Sequence, residues 1–265
     1  MTHDEIGKAV LEVIAAIAPE TDVRALRPDQ PLRPQVDLDS MDWLNVIAAL
    51  CGRLGIDIAD ADIGQLSTIH AIVACAASRL AESGGIARPT TPGTDALLTS
   101  TRHIVGGRDV VLRPIRADDL PLEADFVRHL SSESRYERFM VTVGELSPKK
   151  LRYLTDVDQD RHVALVATTG RDGQEAIVGV VRYIVDPSGS SCEFAAAIDD
   201  AWHGSGLAGL LMHALIAVAR ARGLRTMEGF VLATNAPMLH FARQLGFRVQ
   251  RHPDDRDTMH VVRDL

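Results

Sequence analysis

A chain of 265 residues, 46% hydrophobic and 24% charged, has the apolar surface for sizeable cores and lacks the charge excess of a disordered polymer; its length suits two small domains. The formal net charge of −8 leaves no basic face for nucleic acid, and no apolar run approaches the roughly twenty residues of a membrane span, so both partner classes are excluded. The acidity sits at the front: residues 1–88 hold 13 Asp/Glu against 7 Lys/Arg, leaving 23 against 21 for the rest, which favours a basic partner surface for the front part.

The opening Met1-Thr2-His3-Asp4-Glu5 has neither the basic nor the apolar stretch of a secretory signal. Cys51, Cys75 and Cys192 form neither a metal spacing nor an even disulfide set. Both features point to a reducing cytoplasm, and no metal site is expected.

Residues 4–18 carry Ile6, Val10, Leu11, Val13, Ile14 and Ile17 at helical spacing and predict a first helix with a broad apolar face. Pro28, Pro31 and Pro34 then preclude a regular helix. A second helix is expected from near Ser40, with Met41, Leu44, Ile47, Cys51 and Leu54 inward. A last one runs from a Ser67 cap to about Leu80, with Ile69, Ile72, Val73 and Ala76 inward. Cys51 and Cys75 are expected in this core, and Ser40 has the plain role of a helix N-cap open to it.

Helix, long loop, Asp37-Leu38-Asp39-Ser40-Met41-Asp42 opening a second helix, and Leu54-Gly55-Ile56-Asp57-Ile58 before a turn and final helix together resemble an acyl carrier protein over residues 3–82. The resemblance implies an all-α four-helix bundle. It nominates Ser40 for 4′-phosphopantetheine, installed by a phosphopantetheinyl transferase, and implies that Asp37, Asp39 and Asp42 meet basic partners. Met41 stands where the family hallmark has Leu.

From Ser83 to Thr101 the chain is rich in Gly, Pro, Ser and Thr, a linker signature that divides it into residues 1–82, 83–101 and 102–265. Beyond it, Val110 to Ile115 reads as a strand, followed by a helical stretch to about Leu130. Ser134 to Phe139 and a helix from Pro148 to Leu154 precede strands at 162–168, 177–185 and 192–198. A helix from Gly206 to Arg222 turns Leu207, Leu210, Leu211, Leu215 and Val218 inward. A strand at 226–232, a helix opened by Asn235, and strands near 247–250 and 259–262 complete the domain.

Between the strand ending at Ile198 and the next helix, Trp202-His203-Gly204-Ser205-Gly206-Leu207-Ala208-Gly209 reads as a phosphate cradle. Its glycines let backbone N–H groups approach an anion, and the helix directs its positive dipole end to the same place. A plain turn is the other reading. His203 to Ala208 resembles motif A of the GNAT acyltransferase superfamily, with His203 in place of the usual Gln or Arg. Asn235 to Phe247, ending in Leu245-Gly246-Phe247, resembles its motif B. Glu133 to Phe139, Asp158 to Arg161, and Cys192-Glu193-Phe194-Ala195 make residues 110–250 similar to bacterial Pat-type protein lysine acetyltransferases. The resemblance implies an α/β GNAT fold with a mixed, mostly antiparallel sheet, acetyl-CoA as donor and a protein lysine as acceptor.

Glu193, followed by Phe194 to Ala197, lies in an apolar setting that suits a general base, although strand alternation leaves an outward, solvated role open. The resemblance assigns it the base. The same resemblance puts cofactor contacts at Ala195, Ala197 and Ile198, along His203, Gly204, Ser205, Gly206, Leu207 and Ala208, and at Asn235 and Met238; Asn235 is equally a helix N-cap. Ala242 stands where many members carry an acid tyrosine. Cys192 alternates to the face opposite Glu193, and His203, His213 and His240 read as surface or packing residues. Two rival readings stand beside the acetyltransferase one. The first is a biosynthetic N-acyltransferase fed from its own Ser40 arm; the second is a non-catalytic acetyl-CoA-sensing or docking module. An acyl-CoA-synthesising enzyme is a further candidate partner.

Overall fold

The computed structural model describes residues 1–18, 21–32, 34–36, 38, 40–56, 58, 66–82, 98–140, 145–171, 174–252 and 255–265. The chain divides into two compact units, Met1–Thr91 with Val185–Gly189, and Pro92–Ile184 with Ser190–Leu265. Most of the expected linker, residues 83–97, lies outside the described residues.

In the front unit, helix α1 (His3–Ile17) starts at a reciprocal cap: the Glu5 amide donates to the Thr2 hydroxyl at 3.3 Å, and the Thr2 amide to the Glu5 carboxylate at 2.7 Å. Its buried Ile6, Val10 and Ile14 face α2 (Ser40–Leu54) and α3 (Ile69–Glu82), which bring in Trp43, Ile47, Leu50, Ile72 and Ala76. Thr68 rather than Ser67 caps α3, its hydroxyl accepting the Ala71 amide at 3.0 Å, while the Ser67 carbonyl accepts the Leu32 amide at 2.8 Å. Cys51 is buried as expected, but Cys75 is only half-buried.

The proline segment between α1 and α2 is organised by one side chain. The Gln35 amide nitrogen lies within 3.1 Å of the carbonyls of Arg27, Gln30 and Pro31, and its oxygen accepts the Arg27 amide at 2.8 Å. It supplies hydrogen bonds that a proline-broken backbone cannot make to itself. Among the described residues this unit holds three helices, so the four-helix bundle implied by the resemblance is not reproduced in full among them.

The second unit is an eight-stranded sheet in the order β1-β2-β3-β4-β5-β6-β8-β7. The strands are β1 (Thr101–Val105), β2 (Arg108–Pro114), β3 (His162–Arg171), β4 (Gln174–Val185), β5 (Ser191–Ile198), β6 (Thr226–Leu232), β7 (Arg248–Arg251) and β8 (Thr258–Asp264). β1 was not expected. It pairs with β2 through a tight turn at Gly106 and Gly107, whose φ angles of +57° and +76° suit the twist of a two-residue hairpin. β5 and β6 are parallel because helix α7 carries the chain across between them; β1–β2, β2–β3, β3–β4, β6–β8 and β7–β8 are antiparallel.

Helices α4 (Leu120–His129), α5 (Ser132–Phe139) and α6 (Pro148–Thr155) follow β2. Phe126, Val127, Leu130 and Phe139 from α4, α5 and their junction form a core with Ile115, Ala164, Val166, Ile177 and Val180, against which Ala197 of β5 packs. Helix α7 (Leu207–Ala221) seats on β4 at Gly179, where an added Cβ would stand 2.8 Å from a Leu211 methyl and 2.9 Å from an Ile198 methyl. Ile198 and Ala197 alternate, so α7 and the α4–α5 layer lie on opposite faces of the sheet. Leu207, Leu211, Leu215 and Val218 are buried, whereas Leu210, also expected inside, is half-buried. Helix α8 (Ala236–Gln244) precedes β7. Among the described residues no helix is long and apolar enough to cross a membrane, and no group of three His, Cys, Asp or Glu could hold a metal ion.

Candidate active site

The parallel pair β5–β6 stays in register for three rungs, Ser191↔Thr226, Cys192↔Met227 and Glu193↔Glu228. Beyond Glu193 no further pairing of the two strands occurs among the described residues. Phe194–Ile198 therefore present backbone groups on an edge that has no strand beside it, and such groups need partners. Phe194 marks the divergence. Its ring lies so close over Gly229 that a Cβ there would meet it at 2.7 Å, and it packs on the Phe247 ring with centroids 5.0 Å apart.

Glu193 stands on the last shared rung and is 5% exposed, which removes the outward, solvated alternative. Alternation puts Ala195 and Ala197 on its face and Cys192 and Phe194 on the other. Ala195, Ala197 and Ile198 lie on the unpaired stretch, all half-buried. The Ile198 carbonyl is already engaged, 3.1 Å from Nε2 of His203.

The cradle follows. Asp199 caps a single turn at Asp200–Trp202, and Gly204 and Gly206 adopt φ of +72° and +91°, with nothing within 4 Å of where a Cβ would stand. Only glycine takes this conformation without strain. The Ser205 hydroxyl donates to the Trp202 carbonyl at 2.6 Å and accepts the Leu207 amide at 3.3 Å, which fixes the loop. The amides of Ala208 and Gly209, in the first turn of α7, precede any intrahelical acceptor and point out of the helix end. The Leu207 side chain belongs to the core, so only its backbone belongs to the cradle.

Two side chains brace this loop. The Asp200 carboxylate accepts from the Ser131 amide at 2.9 Å, the Ser131 hydroxyl at 3.0 Å and the Ser134 hydroxyl at 2.8 Å, tying the loop to the N-terminus of α5. Burial opposes its ionisation, but these hydrogen bonds outweigh burial and hold its carboxyl below the ordinary range. Arg108, from the unexpected hairpin, lies 3.4 Å over the Trp202 ring and donates to the Ala201 carbonyl at 3.1 Å. Neighbouring Glu137 is raised by burial and Glu133, against the pull of His203 and with Asp200 adding to the rise. With acids on this rim, attraction for an anion falls to backbone amides, the helix dipole and Arg108.

Asn235 caps α8, its carboxamide oxygen accepting the Met238 amide at 2.9 Å; Met238 is half-buried one turn in. Ala242 is buried on the same helix. In the other unit, Ser40 is the first residue of α2, and its side chain lies outside the described residues. Asp42 is buried, contrary to the docking role expected of it, and Asp37 and Asp39 lie outside the described residues. Sequence reading missed Arg108, Asp200, Glu228 and His260. Of these, only Arg108 carried a local signal, next to Gly106-Gly107.

Residues 125–247 match the family described as Acetyltransferase (GNAT) family, and residues 8–76 match that described as Phosphopantetheine attachment site. An acetyltransferase of Pseudomonas aeruginosa is 40% identical over 149 residues, 56% of this chain and 80% of the relative. The crystal structure of the GNAT domain of PAT from S. lividans is similar with a TM-score of 0.58 and 28% identity, covering 63% of this chain and 97% of that one. A looser match, TM-score 0.44 and 26% identity, is to a cAMP-binding acyltransferase from Mycobacterium smegmatis, over 64% of this chain and 48% of that one.

Proposed function

Because this chain belongs to the GNAT acetyltransferase family and carries a phosphopantetheine-attachment domain ahead of that fold, we propose that it transfers an acetyl group from acetyl-CoA to an amine, with a protein lysine as acceptor and Glu193 as general base. One observation carries the reading: the buried Glu193 sits on the last β5–β6 rung, where the strands part and β5 runs on unpaired from β6 towards the cradle. The unpaired edge of Phe194–Ile198 suits an extended arm with amide groups of its own, which pairs as an added strand would. The open cradle at Gly204 and Gly206, with the first-turn amides of Ala208 and Gly209, suits a pyrophosphate.

When bound, acetyl-CoA supplies an activated thioester. Backbone N–H groups between Ala195 and Ala197 polarise its carbonyl oxygen. Glu193 takes a proton from the acceptor nitrogen as the N–C bond forms and the C–S bond breaks. Ala242 offers no acid to the departing sulfur, and a thiolate, with an ordinary thiol pKa of about 8.5, leaves without one. Glu193→Gln is expected to lower turnover by about 10²- to 10⁴-fold while acetyl-CoA binding, measured by calorimetry, is retained. Turnover close to wild type in that variant removes Glu193 from the chemistry. A wild-type protein that binds acetyl-CoA but turns over no amine favours the sensing or docking module.

The phosphopantetheine-attachment match favours a second reading, in which the acyl group arrives on Ser40 of the chain's own front domain. An intact mass that shows an acylated arm on Ser40, lost on thioester cleavage, supports it; unmodified Ser40 leaves free acetyl-CoA as the donor.

A further inference from the structure

An alkyl amine is protonated near neutral pH, with an ordinary pKa of about 10.4, so its nitrogen sheds two protons on the way to an amide. One must leave before attack and one as the N–C bond forms. Glu193 provides for one of them, and at 5% exposure it is poorly placed to exchange repeatedly with water.

A second proton acceptor lies beside it. In-register residues of parallel strands share a face and stand about 4.8 Å apart, so Glu228 of β6 is the sheet neighbour of Glu193. One Oε2 of Glu228 lies 2.8 Å from Nε2 of His260 on β8. Phe230, directly opposite His260 in the β6–β8 register, stacks on its ring with centroids 5.1 Å apart and planes 15° from parallel, and His252 meets the Phe230 ring edge-on with centroids 5.5 Å apart. The carboxylate fixes the tautomer: with Nε2–H donating to Glu228, Nδ1 is left as the acceptor. The side chains of His260 and Glu228 are 25% and 32% exposed, so this pair, unlike Glu193, reaches water.

Building on the acetyltransferase reading, we infer that His260, oriented by Glu228 and Phe230, is the base that takes the first proton from an alkylammonium acceptor, and that Glu228 is its positioning residue. The first proton passes from the ammonium to Nδ1 of His260 and on to water. The neutral amine then attacks the carbonyl carbon, the N–C bond forms and the C–S bond breaks. The second nitrogen proton goes to Glu193, and the sulfur leaves as a thiolate. The site thus selects strongly basic, cationic amines.

The test uses the full chain and two acceptors, a lysine-type alkylamine and a weakly basic alkoxyamine that is already neutral at the assay pH. His260→Gln is expected to lower kcat/KM for the alkylamine by about 10²-fold but for the alkoxyamine only a few-fold. Glu228→Gln should show the same selectivity at smaller amplitude. Glu193→Gln should lose both activities. Calorimetric binding of acetyl-CoA reports that each variant folds, and if His260→Gln does not bind, Glu228→Gln carries the test. Equal losses on both acceptors, or no loss on either, overturn the assignment of His260. A wild-type protein that acetylates neither amine while binding acetyl-CoA overturns the acetyltransferase reading itself, and this inference with it.

Discussion

Arg108 is a surface cation whose guanidinium is held flat against Trp202 at 3.4 Å and hydrogen-bonded to the next carbonyl back, that of Ala201. Trp202 is itself buried, so the stack holds the entry to the Gly204–Gly206 turn in one conformation before any ligand arrives. A cation–π contact at a partly exposed site contributes about 0.5–2 kcal/mol. Arg108→Ala is therefore expected to weaken acetyl-CoA binding by about two- to thirtyfold in calorimetry, with Arg108→Lys failing to restore it, because an ammonium cannot stack and donate in the same plane. Unchanged affinity in Arg108→Ala would show the loop to be set without the stack. His162 acts at the same scale but through protons. Burial, with Arg182, Arg138 and Lys150 adding to it, holds its imidazole well below the ordinary range, so the native state keeps it neutral. The unfolded chain takes up that proton near pH 6.5. Stability from this group is thus complete above about pH 6.5 and falls as the pH drops through that value towards the native one. His162→Asn, which keeps an acceptor for Arg182 (3.4 Å from Nε2 in the wild type), should flatten the decline in melting midpoint between pH 7 and 5. Parallel wild-type and variant profiles would rule out His162 as a source of acid sensitivity.

At the scale of elements, the parting of β5 from β6 depends on a ring and a missing side chain. Gly229→Ala would put a Cβ 2.7 Å from the Phe194 ring, which is itself fixed against Phe247 at 5.0 Å. Overpacking of this kind costs about 1–3 kcal/mol. Because Phe194 adjoins Glu193, Gly229→Ala is expected to lower both the melting temperature and turnover, and Phe194→Leu in the same chain should recover part of each; a Gly229→Ala protein with wild-type melting would mean that the ring moves freely. The long, strongly periodic elements were legible from sequence. Leu207, Leu211, Leu215 and Val218 announce α7, and the β6 bounds of Thr226–Leu232 follow from alternation. β1 was not, because an edge strand with Ile104 outward lacks the buried face that produces a pattern, although Gly106-Gly107 was a hairpin signal in plain view. The Gly204–Gly206 turn and the strand position of Glu193, on which the proposed site rests, follow from local sequence. Glu228 and His260 do not: they reach Glu193 through strand register across segments far apart in sequence, and no spacing along the chain encodes that register.

Across the whole molecule, charge and periodicity point to an acidic helical front and an α/β back, and Gly, Pro, Ser and Thr mark residues 83–101 as the expected linker. Helical periodicity with a Ser at the head of α2 sufficed for the front. What the chain could not state in its own residues is whether the two halves share chemistry, since that depends on a covalent group added to Ser40. Ser40→Ala separates the cases without disturbing the Glu193 site, which lies in the other unit. Ser40 is the first residue of α2, and alanine is a strong helix former, so the variant should remain folded. If free acetyl-CoA is the donor, Ser40→Ala should acetylate a test amine at the wild-type rate, measured as thiol release with acetyl-CoA supplied in excess. If the donor is the chain's own arm, the same variant, which has no hydroxyl to carry the arm, should give no transfer to the native acceptor after treatment with a phosphopantetheinyl transferase and acyl-CoA, while wild-type protein loaded in this way transfers in a single turnover that dilution of the protein does not slow. That independence from concentration is the signature of delivery within one chain, because a tethered arm works at a fixed effective concentration whereas exchange between chains slows in proportion to dilution.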